Sequence, residues 1–212
     1  MLNLEYMWGL LPVLLGYLPL TMQMATIAMF FALILSCLLA VIRVSKVPVL
    51  NGLSLLFISF FRGTPLLVQL FLFYYGLPQL ISSLIAITGV TAAVLGLTLH
   101  FSAYMAESIR AAIVGIDRSQ TEAALSIGMT QSQLMRRIIL PLMAWPILFI
   151  TTYQTLSLMT SFEYILLLTD GGPGFFTTEV WALNAYHTAL SNYFGNLRYG
   201  FGATLAVVLV VV

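Results

Sequence analysis

Polar side chains are concentrated in one otherwise apolar stretch, and they are the residues of this sequence best suited to bind a polar solute. Hydroxyl and amide groups occupy most of residues 151–161: Thr151, Thr152, Tyr153, Gln154, Thr155, Ser157, Thr160 and Ser161. In a helix, Gln154, Ser157 and Ser161 fall on one face, and Thr151 likewise shares a face with Thr155. Such groups are costly against lipid, so they face neighbouring helices or a water-filled cavity. The pattern fits a solute pathway and interhelical hydrogen bonding equally well, and Gln69 is a weaker candidate for the same pathway.

Ionisable groups occur at two other places in or beside apolar stretches. His100 lies within a stretch that has no charged residue, which raises a functional hypothesis. We expect a neutral histidine that is bonded to a neighbouring helix. Glu107 and Arg110 are three positions apart and can pair on one helix face. We expect this pair to be structural, with a role in a gate as the alternative.

Residue patterns for catalysis, nucleotide binding and metal binding are missing from the sequence. It has no G-x4-G-K-S/T phosphate loop and no H-E-x-x-H motif, Cys37 is its only cysteine, and its two histidines lie 87 positions apart. The Asp-Gly and Gly-Pro pairs of residues 170–174 are typical of a turn. We therefore expect a chain that is not an enzyme and that holds no cofactor, ATP or metal itself.

The composition places these groups in a membrane protein. Of the 212 residues, 61% are hydrophobic and 7% are charged, whereas a soluble domain carries about 25% charged residues. Residues 6–42 and 63–106 contain no charged side chain, and a membrane-spanning helix needs about 20 apolar residues. The net charge of +1 and the scattered basic residues argue against a nucleic-acid partner. We predict an all-α, multi-pass protein of the lipid bilayer.

Charges and helix breakers divide the chain into about five predicted transmembrane helices, which form a single domain of residues 1–212. Their predicted bounds are residues 18–44, 52–80, 85–109, 138–161 and 190–212. The second is either one long helix or an interfacial helix followed by a span. The last apolar stretch begins near Tyr199 and is short for a span. Either its helix begins earlier, near Ala189, or the chain is truncated at Val212.

Basic residues in short loops predict the orientation, because they favour the cytoplasm. Arg43 and Lys46 follow the first span. Four arginines lie between the third and fourth spans: Arg110, Arg118, Arg136 and Arg137. We therefore predict an N-terminus outside the cell, a cytoplasmic loop at residues 110–137 and an external loop at residues 162–189.

The cytoplasmic loop carries two short helical patterns that are separated by a glycine. Asp117 or Ser119 can cap the first helix, and Gly128 suits the left-handed position that ends a helix. Thr130 and Gln133 have the spacing of the capping box of a second helix. A rigid protrusion of this kind suits a protein on which a partner pushes. A capped surface hairpin without a partner fits the same residues.

Seven residues of this region carry a resemblance to a known family. The pattern E-A-A-x3-G-x9-I-x-L-P is spelled by Glu122, Ala123, Ala124, Gly128, Ile138, Leu140 and Pro141. It resembles the cytoplasmic signature of permease subunits of binding-protein-dependent ABC importers. The resemblance implies that residues 122–128 dock on a separate ATPase subunit, which binds ATP and Mg²⁺, and pass its motion to the membrane helices.

The same resemblance implies further partners and a location. A second permease subunit, identical or related, would complete the pathway, and an extracytoplasmic substrate-binding protein would deliver the substrate. The location it implies is the inner cell membrane, with no cofactor in this subunit.

Two parts of the chain resemble two different branches of that family. Residues 61–141, which include R-G-T-P-L-L-V-Q at 62–69 and S-A-Y-M-A-E at 102–107, resemble the polar amino acid branch. Residues 141–212, which include T-D-G-G-P-G at 169–174, resemble the sugar permease branch. Because the first match is closer, we expect import of a polar amino acid by alternating access. Import of a sugar or oligosaccharide is the alternative, and a structural or regulatory membrane protein without transport activity is the remote one.

Overall fold

The computed structural model of the chain describes residues 4–81, 87–161, 163–172 and 177–190, with single positions at 200, 203 and 207. The regular structure of this part is helical, and no β-strand occurs in it. Ten α-helices follow in the order α1 (Leu4–Ser45), α2 (Pro48–Gly63), α3 (Leu66–Phe71), α4 (Leu77–Leu80), α5 (Gly89–Val114), α6 (Arg118–Ser126), α7 (Gln131–Leu134), α8 (Leu140–Thr160), α9 (Glu163–Thr169) and α10 (Trp181–Leu190). The prediction of an all-α fold is confirmed.

Two π-helical turns join short helices into longer rods, and each of them precedes a proline. The turn Leu72–Gly76 connects α3 to α4, which carries Pro78, and the turn Met135–Ile139 connects α7 to α8, which carries Pro141. A proline offers no N–H to the carbonyl four residues before it, and its ring clashes with that carbonyl. A wider turn at this point relieves the clash, so each helix continues through its proline.

Three helical segments are long and apolar enough to cross a membrane: Leu15–Ser45, Gly89–Val114 and Gln131–Thr160. A fourth candidate is the pair Pro48–Gly63 and Leu66–Leu80, which are separated by a break in the helix. The described residues thus hold three or four candidate spans, where about five were predicted for the whole chain. Most of the predicted fifth span, residues 190–212, lies outside the described residues.

The predicted helix at residues 52–80 is interrupted between α2 and α3. Thr64 has an extended backbone (φ −113°, ψ 142°), and its N–H donates to the carbonyl of Phe60 at the end of α2. Pro65 disfavours the helical conformation at Thr64, because the proline ring crowds the preceding residue. A single continuous helix over these residues is therefore wrong, and the structure has two helical segments instead.

The chain forms two compact units, and one of them contains the predicted cytoplasmic loop. This second unit comprises Ala28–Pro65 and Leu97–Thr155. Its buried cluster joins α1, α5 and α8 through Ala40, Ile109 and Met143. Most other apolar side chains of α8 are exposed, and Trp145 is 78% exposed. An apolar surface of this kind suits contact with lipid or with another membrane subunit.

The first unit comprises Met1–Ile27, Leu66–Gly96 and Leu156–Val212. Hydrogen bonds between its helices satisfy buried polar groups. The Trp181 N–H donates to Thr21 Oγ1 at 3.1 Å, and the Tyr75 hydroxyl donates to the Leu168 carbonyl at 2.9 Å. Such bonds replace those that water would supply outside a membrane. They tie α1 and the Leu66–Leu80 rod to α9 and α10.

Candidate functional site

The first residues of the predicted cytoplasmic loop continue α5 to Val114, and the loop then forms a capped helix, α6. The Asp117 carboxylate accepts a hydrogen bond from the Ser119 N–H at 2.9 Å. Hydrogen bonds from the backbone and side chain of Ser119 stabilise the ionised carboxylate, so the pKa of Asp117 is lowered. The first amides of a helix have no partner within it. This cap therefore fixes where α6 begins, and of the two predicted candidates it is Asp117 that forms it.

Gly128 ends α6 in the conformation that the sequence predicts. Its φ is +79°, in the left-handed region that favours glycine. The Met129 N–H donates to the Ala124 carbonyl at 3.1 Å, and the Gly128 N–H donates to the Leu125 carbonyl at 3.0 Å. These two bonds form a Schellman motif, which satisfies carbonyl groups that the helix leaves free. The chain direction after α6 is therefore fixed by a defined turn.

The second helix of the loop starts with the predicted capping box. Thr130 Oγ1 accepts from the Gln133 N–H at 3.3 Å, and Gln133 Oε1 accepts from the Thr130 N–H at 2.9 Å. The helix continues from α7 through the π-helical turn that carries Arg136 and Arg137 into α8. The loop is thus a rigid helix, turn and helix whose three junctions are all hydrogen-bonded.

The surface of α6 shows which loop residues are available to a partner. Glu122, Ala123 and Gly128 are exposed, whereas Ala124 is buried. The structure therefore brings the predicted coupling residues together on one protrusion, with Ala124 on its inner side. Sequence reasoning did not single out Ile127, whose side chain is 75% exposed beside Gly128. The sequence signal that points to Ile127 is its position as an apolar residue beside Gly128, the helix-ending glycine of a polar loop.

An ion-pair network lies at the end of α5 from which the loop departs. Glu107 Oε2 accepts from Arg110 Nε at 2.8 Å, as predicted, and Glu107 Oε1 lies 3.6 Å from Arg43 Nε. Arg43 also donates to Asn51 Oδ1 at 2.7 Å. The carboxylate thus connects α5 to the end of α1 and, through Arg43, to α2. The roles of Arg43 and Asn51 were not predicted, because they depend on contacts between separate helices.

A second set of contacts joins the other end of α2 to α5. The Arg62 guanidinium lies over the Tyr104 ring at 5.4 Å, and the Tyr104 hydroxyl is 3.5 Å from the Arg62 carbonyl. The His100 ring stands 4.8 Å from the Tyr104 ring, one helical turn along α5. A cation over an aromatic face is attracted by the ring quadrupole. Both ends of α2 are therefore bound to α5.

Two hydroxyl groups of the predicted pathway bond to their own helix. Thr155 Oγ1 donates to the Thr151 carbonyl at 2.7 Å, and Ser161 Oγ donates to the Ser157 carbonyl at 2.7 Å. Bonds to the carbonyl four residues back satisfy a hydroxyl without a neighbouring helix or a solute. Thr151 Oγ1, by contrast, is buried and has no hydrogen-bond partner among the described residues.

The six predicted pathway residues divide between the two compact units. Gln69, Ser157 and Ser161 belong to the first unit. Thr151, Gln154 and Thr155 belong to the second. Gln69 is 1% exposed, and Gln154 is partly buried. Their assignment to a pathway remains a prediction.

The turn predicted at residues 170–174 is present in its described part. Asp170 and Gly171 have positive φ values of 47° and 93°, and Gly172 has a φ of 128°. The Thr178 N–H donates to the Gly171 carbonyl at 2.8 Å. Residues 173–176 lie outside the described residues.

Comparison with known proteins adds a family match to this geometry. Residues 32–212 match the family described as the binding-protein-dependent transport system inner membrane component. The match includes α6, Gly128 and the whole of the predicted cytoplasmic loop.

Two similar sequences are bacterial amino-acid permeases. The probable amino-acid ABC transporter permease protein PatM of Vibrio harveyi is 67% identical over 139 residues, which cover 66% of this chain and 62% of that protein. The probable amino-acid permease protein YxeN of Bacillus subtilis (strain 168) is 54% identical over 137 residues, 65% of this chain and 61% of that protein. The chain therefore spans less than two thirds of the length of either relative in these matches.

Two solved structures have a similar fold. An amino acid ABC transporter crystallised with histidines is 27% identical, with a TM-score of 0.70 over 100% of this chain and 97% of that chain. The MetNI methionine ABC transporter, in inward-facing conformations, has a TM-score of 0.73 over 96% of this chain and 90% of that chain. Its identity of 19% shows a shared fold alone.

These relatives bear on the two branches that the sequence resembles. They support the resemblance of the chain to the polar amino acid branch. They give no support to the resemblance of residues 141–212 to the sugar branch.

Proposed function

This chain belongs to the family of binding-protein-dependent transport system inner membrane components, and we propose that it is the membrane-spanning subunit of an ATP-driven importer of a polar amino acid. The observation that carries the proposal is the exposed protrusion of α6, which is capped at both ends and bears Glu122, Ala123 and Gly128 on its surface. Members of this family are transport components and not enzymes.

Coupling to ATP hydrolysis follows from the rigidity of the protrusion. A partner that pushes on α6 meets a helix with a fixed start at Asp117 and a fixed exit at Gly128, so the push moves the loop as a body. The loop leaves from α5, and Glu107 and Arg43 connect that helix end to α1 and α2. The motion therefore reaches several helices of the second unit together.

The partners in this proposal are those of the family resemblance. Two ATPase subunits bind ATP and Mg²⁺ and dock on residues 122–128 of two permease subunits. An extracytoplasmic binding protein delivers the substrate. The exposed Ile127 supports a protein partner at the loop, because contact with a protein would remove this apolar side chain from water.

The substrate class rests on the relatives and on the chemistry of α8. Both similar sequences are named as amino-acid permeases. No charged residue occurs from Ile138 to Phe162. A zwitterionic amino acid would there be met by hydroxyl, amide and helix-end dipoles rather than by formal charges. In this proposal Gln69, Thr151, Gln154, Thr155, Ser157 and Ser161 line the pathway.

The proposed location is the inner cell membrane, with the loop at residues 110–137 in the cytoplasm. The basic residues at both ends of that loop support this orientation. The external side then holds the N-terminus and the turn after α9.

Site-specific cross-linking tests the docking role. Ile127→Cys in a Cys37→Ala background, co-expressed with the ATPase partner, should form a cross-link to the ATPase. Leu56→Cys is the matched control, since Leu56 is also an apolar residue, 70% exposed, but lies on α2. Equal cross-linking from both positions, or none from position 127, would contradict the proposal.

A further inference from the structure

The imidazole of His187 lies between two carboxylates in the first unit. His187 Nδ1 is 3.0 Å from Glu179 Oε1, and His187 Nε2 is 3.1 Å from Asp170 Oδ1. Asp170 directly follows α9, Glu179 precedes α10, and His187 lies within α10. One side chain thus bridges the end of one helix and the start of the next.

The number of protons on the ring decides whether both contacts are hydrogen bonds. A neutral imidazole has one N–H, and an ionised carboxylate only accepts. With both carboxylates ionised, the neutral ring can donate to Glu179 or to Asp170 but not to both. The imidazolium has two N–H groups and satisfies both contacts. With both carboxylates ionised, the observed arrangement is therefore complete only when the ring carries a second proton.

Burial decides which contact is retained when that proton leaves. The Glu179 side chain is fully buried, and its other oxygen, Oε2, has no hydrogen-bond partner within the described part of the chain. The Asp170 side chain is 61% exposed. Loss of the hydrogen-bond donor costs much more free energy for a buried carboxylate than for an exposed one, because water solvates the exposed one. The neutral ring therefore keeps its N–H on Glu179, and the contact with Asp170 is lost.

The surroundings hold the two carboxylates in place. A Cβ on Gly171 would collide with Glu179 Oε2, so the carboxylate packs directly on this glycine. Asn184 Nδ2 lies 3.5 Å from Glu179 Oε1. Two further ionisable groups face the cluster within the described residues: Tyr17 of α1, on which the charge of Glu179 acts, and Tyr186, whose ring is 6.0 Å from that of His187.

We propose that His187 is a proton-operated latch between the end of α9 and the start of α10. Its ligand is a proton: the doubly protonated ring binds Asp170 and Glu179 together, and the neutral ring releases Asp170. The latch is closed while the ring carries two N–H groups and opens when it carries one. This inference goes beyond the proposed transport function and does not depend on it.

Isosteric variants distinguish a latch from a purely structural contact. In Asp170→Asn the side-chain amide donates to a neutral ring and its oxygen accepts from a protonated ring, so the link should persist in both states. Asparagine also tolerates the left-handed backbone of this position. Asp117→Asn, the same change at the other aspartate of the sequence, is the matched control.

The test combines two measurements on the full chain in lipid nanodiscs. A His100→Gln background leaves His187 as the only histidine, so ¹⁵N-histidine spectra report its protonation alone. Hydrogen exchange of the Thr178 amide, which bonds to the Gly171 carbonyl at 2.8 Å, reports the junction itself. As His187 loses its second proton, protection of this amide should fall by roughly ten- to a hundredfold, the effect of losing one hydrogen bond to a charged group.

The variants give the outcomes that decide the proposal. Asp170→Asn should abolish the pH dependence of Thr178 protection, and Asp117→Asn should leave it as in the parent chain. If Asp170→Asn instead lowers protection equally at all pH values, the contact is structural and the latch is overturned. Protection that does not follow the protonation of His187 in the parent chain would overturn it as well.

Discussion

Gly128 shows how one residue controls the shape of the loop. Its left-handed backbone lets the Met129 and Gly128 amides reach back to α6, and no atom lies near the position that a Cβ would take. The constraint at this position is therefore conformational and not steric crowding by a neighbour. A residue that resists the left-handed region costs about 1–2 kcal/mol there.

This constraint predicts the behaviour of variants at Gly128. Gly128→Val should tilt α6 and reduce substrate-stimulated ATPase activity by about tenfold, the factor that corresponds to 1.4 kcal/mol. Gly128→Asn should retain most of the activity, because asparagine tolerates the left-handed region. Gly52→Val is the control for added bulk, since Gly52 is also exposed with open space around it but lies within α2. Wild-type stimulation in Gly128→Val would refute the role of this turn.

The cap at Asp117 predicts a pH dependence of α6. Because its pKa is lowered in the folded loop, the cap stabilises α6 at neutral pH and is lost as the pH falls through the lowered pKa. Amide exchange of Ser119 and Gln120, corrected for intrinsic rates, should show this loss below the ordinary carboxyl range of about 4. Asp117→Asn should remove the pH dependence, because its amide oxygen accepts at any pH. An identical acid response in this variant would contradict the assignment of the cap.

At the scale of helices, α2 is bound to α5 at both of its ends. At one end, Arg43 contacts both Asn51 of α2 and Glu107 of α5. At the other end, Arg62 of α2 lies over the ring of Tyr104 of α5. The helix that precedes the break at Thr64 is thus fixed to the helix from which the loop departs. Motion of α5 should therefore carry α2 with it.

This arrangement predicts coupling between Arg43 and Glu107. Arg43→Gln and Glu107→Gln should each lower the free energy of unfolding, measured by denaturant titration. The expected loss is on the order of 1 kcal/mol, because the pair is partly exposed. The loss of unfolding free energy in the double variant should be smaller than the sum of the losses in the two single variants, since both changes remove the same ion pair. Lys46→Gln, at an exposed position three residues further along, serves as the control for loss of one positive charge. Strictly additive losses would show that the pair does not link the helices.

Local patterns predicted the loop better than they predicted the spans. The caps at Asp117 and Thr130 and the turn at Gly128 depend on residues within four positions of one another, so the sequence contains the whole signal. An interfacial helix followed by a span is one of the two predicted alternatives for residues 52–80, and neither alternative locates the break at Thr64, although Pro65 marks it. The bridge from Arg43 to Glu107 and the pairing of His187 with Asp170 and Glu179 depend on tertiary packing, which periodicity does not report.

For the whole molecule, the distribution of charge predicts the orientation in the membrane. Single cysteines at Arg118 and at Thr177 are placed in a Cys37→Ala background and exposed to an impermeant thiol reagent in intact cells. The cysteine at position 118 should stay unlabelled, and the one at position 177 should be labelled. Both side chains are exposed, whereas the nearby Glu179 is fully buried and would report burial instead of sidedness. Labelling at position 118 in intact, right-side-out cells would show that the orientation is the reverse of the one predicted.

The most direct test of the account is uptake by the assembled transporter. The chain would be reconstituted into proteoliposomes with its ATPase, a second permease subunit where one is needed, and a candidate binding protein. We expect ATP-dependent uptake of a labelled polar amino acid, which falls by about tenfold in Gly128→Val and is retained in Gly52→Val. Uptake of an oligosaccharide with no response to any amino acid in a full panel would contradict the proposed substrate, and amino acid uptake undiminished in Gly128→Val would contradict coupling through α6.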